Sequence, residues 1–261
     1  MSFKLKAIAA AIGLALISGP AAAANFQNPT SGGELFAVIY DTVSNDAYIK
    51  DLNLTFSDMV TNGNTAGYQL NYNISGDGTY TSFLADSANS HSLAYYIVAG
   101  NTNANSYMFT DASTPTGLKN NVVQGFGAPL SLWMNGPVAA AINAAGGSLF
   151  TTPSVSYDPM NAGQFTNSWD GKLPNSGSMA SAINSATSFW QATKGAGAPA
   201  GAVTPVQFGS QFGAASWNLT QDVNGQVSLT YSVPVPEPGT WALMIAGLLF
   251  VGGVARRRMS V

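Results

Sequence analysis

Polar and apolar positions alternate most cleanly near the C-terminal end of the chain. Val227, Leu229, Tyr231 and Val233 are separated by Ser228, Thr230 and Ser232, the period of a half-buried strand. Asn224-Gly225 just upstream is a hairpin turn signal. The same alternation recurs over Tyr68–Ile74, and over Tyr48–Phe56 with Leu52, Leu54 and Phe56 inward and Asn53 and Thr55 outward. Short apolar runs predict further strands at Leu35–Tyr40, Tyr80–Leu84, Leu93–Ala99, Tyr107–Thr110, Val206–Phe212 and Ala215–Leu219. Ser75-Gly76-Asp77-Gly78 reads as a turn.

Two stretches read as helices. Pro137–Ala145 opens on proline, tolerated in a first helical turn, and stops at Gly146-Gly147. From Met179 to Thr193, Met179, Ile183, Ala186 and Trp190 fall at helical spacing behind Ser178. Gly195–Gly201 is a loop. The expectation is a mainly β domain, antiparallel and sandwich-like, with an insertion of about two helices. Alternating strands that follow one another without crossover helices favour antiparallel pairing.

Both ends break this pattern. At the N-terminus, Lys4 and Lys6 precede an apolar stretch from Ala7 to Ile17, the breaker pair Gly19-Pro20, and Ala22-Ala23-Ala24. These are the parts of a secretory signal, with cleavage expected between Ala24 and Asn25; signal peptidase and the Sec translocon are its implied partners. At the C-terminus, Pro236, Glu237 and Pro238 precede an apolar run from Thr240 to Ala255, and then Arg256, Arg257 and Arg258. As a helix that run measures about 24 Å, slightly short of a ~30 Å hydrocarbon core. Trp241 suits an interface, and the arginines mark the cytoplasmic edge. The chain thus divides into a signal peptide (1–24), an exported body (25–234) and a tail (235–261) with one transmembrane helix.

The order and spacing of the tail resemble the PEP-CTERM sorting signal of exported bacterial proteins. The resemblance implies Sec export, a transient hold in the inner membrane, and an exosortase that cuts near Pro236, Glu237 and Pro238. It also implies a Gram-negative, exopolysaccharide-making host and a destination at the cell surface or in a biofilm matrix. One sorting tag serves many unrelated bodies, so the tail assigns no chemistry to residues 25–234.

Composition narrows the chemistry of the body. There is no cysteine and one histidine, His91, so disulfides and thiolate sites are excluded and zinc is poorly served. Residues 25–235 hold four lysines against eleven acids, a net charge of −7, which argues against nucleic acid. No G-x-S-x-G elbow accompanies His91, and Glu34 with ten scattered aspartates singles out no catalytic pair. Calcium among Asp41, Asp46 and Asp51 is one candidate. Sugar stacking on Trp133, Trp169, Trp190 or Trp217 is another, with Trp190 assigned to the core. The Asn71–Ser82 stretch matches a calcium loop only loosely and overlaps a strand. No nucleotide loop occurs. The expectation is a non-enzymatic surface or matrix protein without cofactor that associates with exopolysaccharide; a secreted hydrolase of matrix polysaccharide or peptide is the alternative.

Overall fold

A computed structural model describes residues 17–18, 33–86, 92–127, 130, 137–152, 179–235 and 247. The sorting motif, the arginine cluster, the signal cleavage site, His91, Trp133 and Trp169 lie outside the described residues, as does nearly all of the predicted membrane helix. Among the described residues no helix is long and apolar enough to cross a membrane.

In chain order the elements are β1 (Ile17–Ser18), β2 (Glu34–Asp41), β3 (Ala47–Thr55), α1 (Phe56–Asn62), β4 (Gln69–Asn73) and α2 (Gly78–Ala85). Then come β5 (Leu93–Asn101), β6 (Ser106–Asp111), α3 (Asn120–Gly125), α4 (Pro137–Ala144) and β7 (Ser148–Thr151). The last are β8 (Ser181–Ala182), β9 (Ala186–Thr193), β10 (Val206–Gln207), β11 (Ser216–Gln221) and β12 (Val227–Ser232). The strands form one sheet in the order β1-β4-β12-β11-β9-β6-β5-β2-β3-β7, with β10 beside β9 and β8 beside β5. Pairing is antiparallel throughout, except where β1 lies parallel to Leu70–Asn71.

The expected sandwich is therefore replaced by a half-barrel. β4 and β3 stand far apart in strand order, yet the Tyr72 hydroxyl on β4 donates to the Leu52 carbonyl on β3 at 3.0 Å. Only a sheet that curls back on itself brings these groups together. The concave face encloses one core in which Trp217, Tyr231, Phe189 and Tyr72 pack ring on ring, with Trp217 and Tyr231 centroids 5.0 Å apart. Buried tyrosine hydroxyls find backbone acceptors across it: Tyr231 to Gly63 at 2.6 Å, and Tyr95 to Ser185 and Trp217 at 2.8 and 3.0 Å. The convex face of β2, β3, β5, β6 and β9 carries a second core, covered by Val123 of α3, Phe126, Leu130, and Val138 and Ile142 of α4. On β4, β12 and β11 the convex side instead carries Asn71, Thr230 and Asn218, aligned across the strands, and stays polar.

The structure corrects several expectations. Residues 179–193 form β8 and β9 rather than a helix. β9 is buried on both sides, with Thr187 and Phe189 facing the inner core and Trp190 and Ala192 the outer one. A strand enclosed on both faces loses its period of two, and the helical spacing of its apolar residues is coincidental. Trp190 is core as expected, but on a strand. Tyr80–Leu84 lies within helix α2, because Asp77 accepts a hydrogen bond from the Thr79 N–H and caps it. Val206–Phe212 contributes only β10 before a left-handed Gly209 (φ 64°) turns the chain into a 3-10 segment, Ser210–Phe212. α1 was not anticipated; Thr55 and Asp58 form a reciprocal capping box at its start. The remaining predicted strands fall on β2 to β6, β11 and β12, and the Pro137 helix on α4.

Candidate functional site

Strand register builds a cluster of interacting charged and hydroxyl side chains that lines a groove. In the β3–β7 pair, Tyr48 stands opposite Phe150 and Lys50 opposite Ser148. Residues two apart on a strand share a face, so these four side chains form a patch on the concave side near its rim. β7 reaches this position because α4 ends at Gly146 and Gly147 (φ 80° and 102°). There the Gly147 N–H returns to the Ile142 carbonyl at 2.9 Å, a reversal that glycine makes without steric cost.

Opposite the patch stands Asp77, the residue before α2. Its Oδ2 accepts from Lys50 Nζ at 2.7 Å and from the Tyr48 hydroxyl at 2.9 Å. Its Oδ1 accepts from the Thr79 N–H at 2.9 Å and from the Ser148 hydroxyl at 3.0 Å. Ser148 Oγ is also 3.0 Å from Thr79 Oγ1. Burial alone would raise the Asp77 carboxyl, but Lys50, the Thr79 N–H and the Tyr48 hydroxyl together hold it below the usual carboxylate range. The Tyr48 phenol is pushed far up, by burial first and by the Asp77 charge second.

The cluster opens into a groove of about 760 Å³, within the range of small-molecule sites. Phe150 forms part of one wall, half-buried, its ring centroid 5.9 Å from that of Phe83. Asn73, Ser82 and three glycines, Gly76, Gly78 and Gly146, complete the rim. Side chains at Gly78 and Gly146 would meet nothing within 4 Å, so backbone lies bare to the groove at both. Chemically this arrangement can orient and hydrogen-bond a ligand. Asp77 is held ionised with both oxygens engaged, and the phenol beside it is held protonated.

The residues singled out from sequence are not brought to this site. Asp41 and Asp46 frame the β2–β3 hairpin, where Asp41 Oδ1 accepts from the Val43 and Ser44 N–H groups at 2.8 and 3.0 Å. Asp51 lies about 17 Å farther along β3, so the three aspartates do not converge on a calcium ion. Among the described residues no three acids or imidazoles gather in a ligand-like group. Glu34 is buried at the start of β2. Trp190 and Trp217 are 5% and 0% exposed, too enclosed to stack on a sugar. Lys50, Asp77 and Ser148 escaped sequence reasoning as a group. The one local signal was Asp77-Gly78-Thr79, a helix cap read as a turn.

Compared with known proteins, the chain matches the PEP-CTERM protein-sorting motif over residues 234–258. The motif implies an exported, exosortase-targeted chain with a transient membrane anchor. No curated protein and no solved structure matches, and the body has no family assignment.

Proposed function

We propose that this chain is a non-enzymatic protein of the cell surface or extracellular matrix, delivered by exosortase and associating there with exopolysaccharide. The observation that carries the reading is the junction between body and tail. The β12 ladder continues to Val233, whose N–H donates to the Tyr68 carbonyl at 3.0 Å and whose carbonyl accepts from the Gly67 N–H at 3.1 Å. The matched motif begins at the next residue, Pro234. A folded body that runs into its sorting signal without a spacer fits a cargo released as a compact unit. A groove whose carboxylate already has both oxygens engaged by neighbouring donors favours association over turnover.

Two measurements test this. Mature protein recovered from the native host should lack Trp241–Val261 by mass spectrometry, and it should be retained saturably on the host's matrix polysaccharide without shortening it. Intact tails at the final location, or no retention, would overturn the reading. Polymer cleavage abolished by a single aspartate substitution would favour the hydrolase instead.

A further inference from the structure

We propose that the groove between β3, β7 and the first turn of α2 binds a neutral saccharide, with Lys50, Asn73 and Thr79 as its polar contacts and Phe150 as its apolar wall. This deepens the exopolysaccharide reading above and rests on it, by naming the site and the chemistry of the sugar.

The argument begins with charge. Lys50 and Asp77 are the charged residues that line the groove, and at 2.7 Å each neutralises the other. An anionic ligand would have to compete with Asp77 for the lysine and would approach a body of net charge −7. A cation would find both carboxylate oxygens already engaged. An apolar ligand would leave the hydroxyls, the amide and the bare backbone of the rim unsatisfied, which costs free energy for each group. The remaining class is a neutral molecule dense in hydroxyls, whose groups both donate and accept.

The groove supplies what such a molecule needs. The Lys50 ammonium has three N–H donors, and the Lys50 side chain is 23% exposed and lines the groove while held by Asp77. Asn73 is exposed at the end of β4, with its Oδ1 accepting from the Gly76 N–H at 3.0 Å, and its amide lines the groove. Gly78 and Gly146 let a ring approach the backbone. The partly exposed Phe150 gives the groove an aromatic wall for the C–H groups of a pyranose, and its T-shaped contact with Phe83 keeps that ring in place.

The test is titration calorimetry of the full chain with four neutral hexasaccharides (malto-, cello-, chito- and mannohexaose) and, as the acidic probe, an alginate hexamer. At least one neutral hexasaccharide should bind saturably. Gly78→Trp, which fills the groove from a position where a side chain meets nothing within 4 Å, should weaken that binding about tenfold or more. Lys50→Met should act likewise, because a hydrogen bond from a charged donor is lost. Asn71→Ala, on the polar convex face, should leave it unchanged. Unfolding midpoints of Gly78→Trp and Asn71→Ala that match the parent would show that the fold survives. Binding of alginate alone, of no probe at all, or of a neutral sugar unaffected by Gly78→Trp would overturn the proposal. Retention on matrix polysaccharide that survives Gly78→Trp would remove this site but leave the proposed function standing. Hexasaccharide binding without matrix retention would do the reverse.

Discussion

Asp77 and Asp51 are both drawn out of water, and both belong to the surroundings of Lys50, yet their environments push them in opposite directions. Asp77 has a cation, a phenol, a serine and a helix N–H arranged around its two oxygens, and it is held ionised. Asp51, on the opposite face of β3, is 1% exposed. Its Oδ1 accepts from the Asn53 N–H at 2.8 Å, while its Oδ2 has no hydrogen-bond partner. Burial pushes its carboxyl up to about 6, and the Asn53 N–H and the nearby Lys50 charge only partly offset that. The difference teaches that partners, more than depth, decide whether a carboxylate is tolerated in this fold. Asp51 has a structural task nonetheless. It holds the Asn53 backbone (φ 49°) where the β2–β3 register shifts between Glu34 and Phe36.

The contrast is broken most severely by Asp77→Ala. That change removes the α2 cap and leaves the partly buried Lys50 without its counter-ion, so urea unfolding should show a loss of about 3–4 kcal/mol. Next in size is a pH effect from Asp51. Its folded value lies above the unfolded 3.8, so the native state binds the extra proton between that value and about 6. Stability should therefore fall as pH rises through this window, by about 2–3 kcal/mol, with the full penalty present above it. Asp77 has the opposite sign: its contribution is present above the unfolded value and is lost as pH falls through the lower folded one. Melting temperatures across this range should fall toward neutrality in the parent and flatten in Asp51→Asn. Lys50→Met should cost less, about 1–2 kcal/mol, because Asp77 keeps its three other donors. Smallest is Asp51→Asn at neutral pH, a net gain of about 1 kcal/mol: it removes the penalty of the buried charge but puts an amide N–H group where Oδ2 has no partner; a loss instead would show that the ionised form carries the bulge.

How legible each part was depended on whether one face or two were buried. β12 and β4 keep polar residues outward, and their alternation was plain; β9, enclosed on both sides, imitated a helix. The 3-10 segment after β10 was hidden for a different reason, since Gly209 in the left-handed region ends a run whose apolar pattern continues. The half-barrel could not be read locally, because the contact of Tyr72 with Leu52 depends on the curvature of the whole sheet. The groove was less legible still. Lys50 and Ser148 lie far apart in the chain and meet only through the β3–β7 register, and Asp77 joins them only because α2 starts there. The tail was the reverse case, since its motif is contiguous and was recognisable without any fold.

The exit of the chain at Val235 has a mechanical consequence. The strand that leads to it, β12, lies inside the sheet, bonded to β11 on one side and β4 on the other. While the tail is held at the membrane, drag on the body is transmitted first to this strand. Tension along it falls on two ladders at once, and the Tyr68 and Gly67 bonds to Val233 are the first rungs loaded. An edge strand in the same position could be peeled away one rung at a time. Attachment through an interior strand lets the body bear a pull on its anchor without a stalk to absorb it.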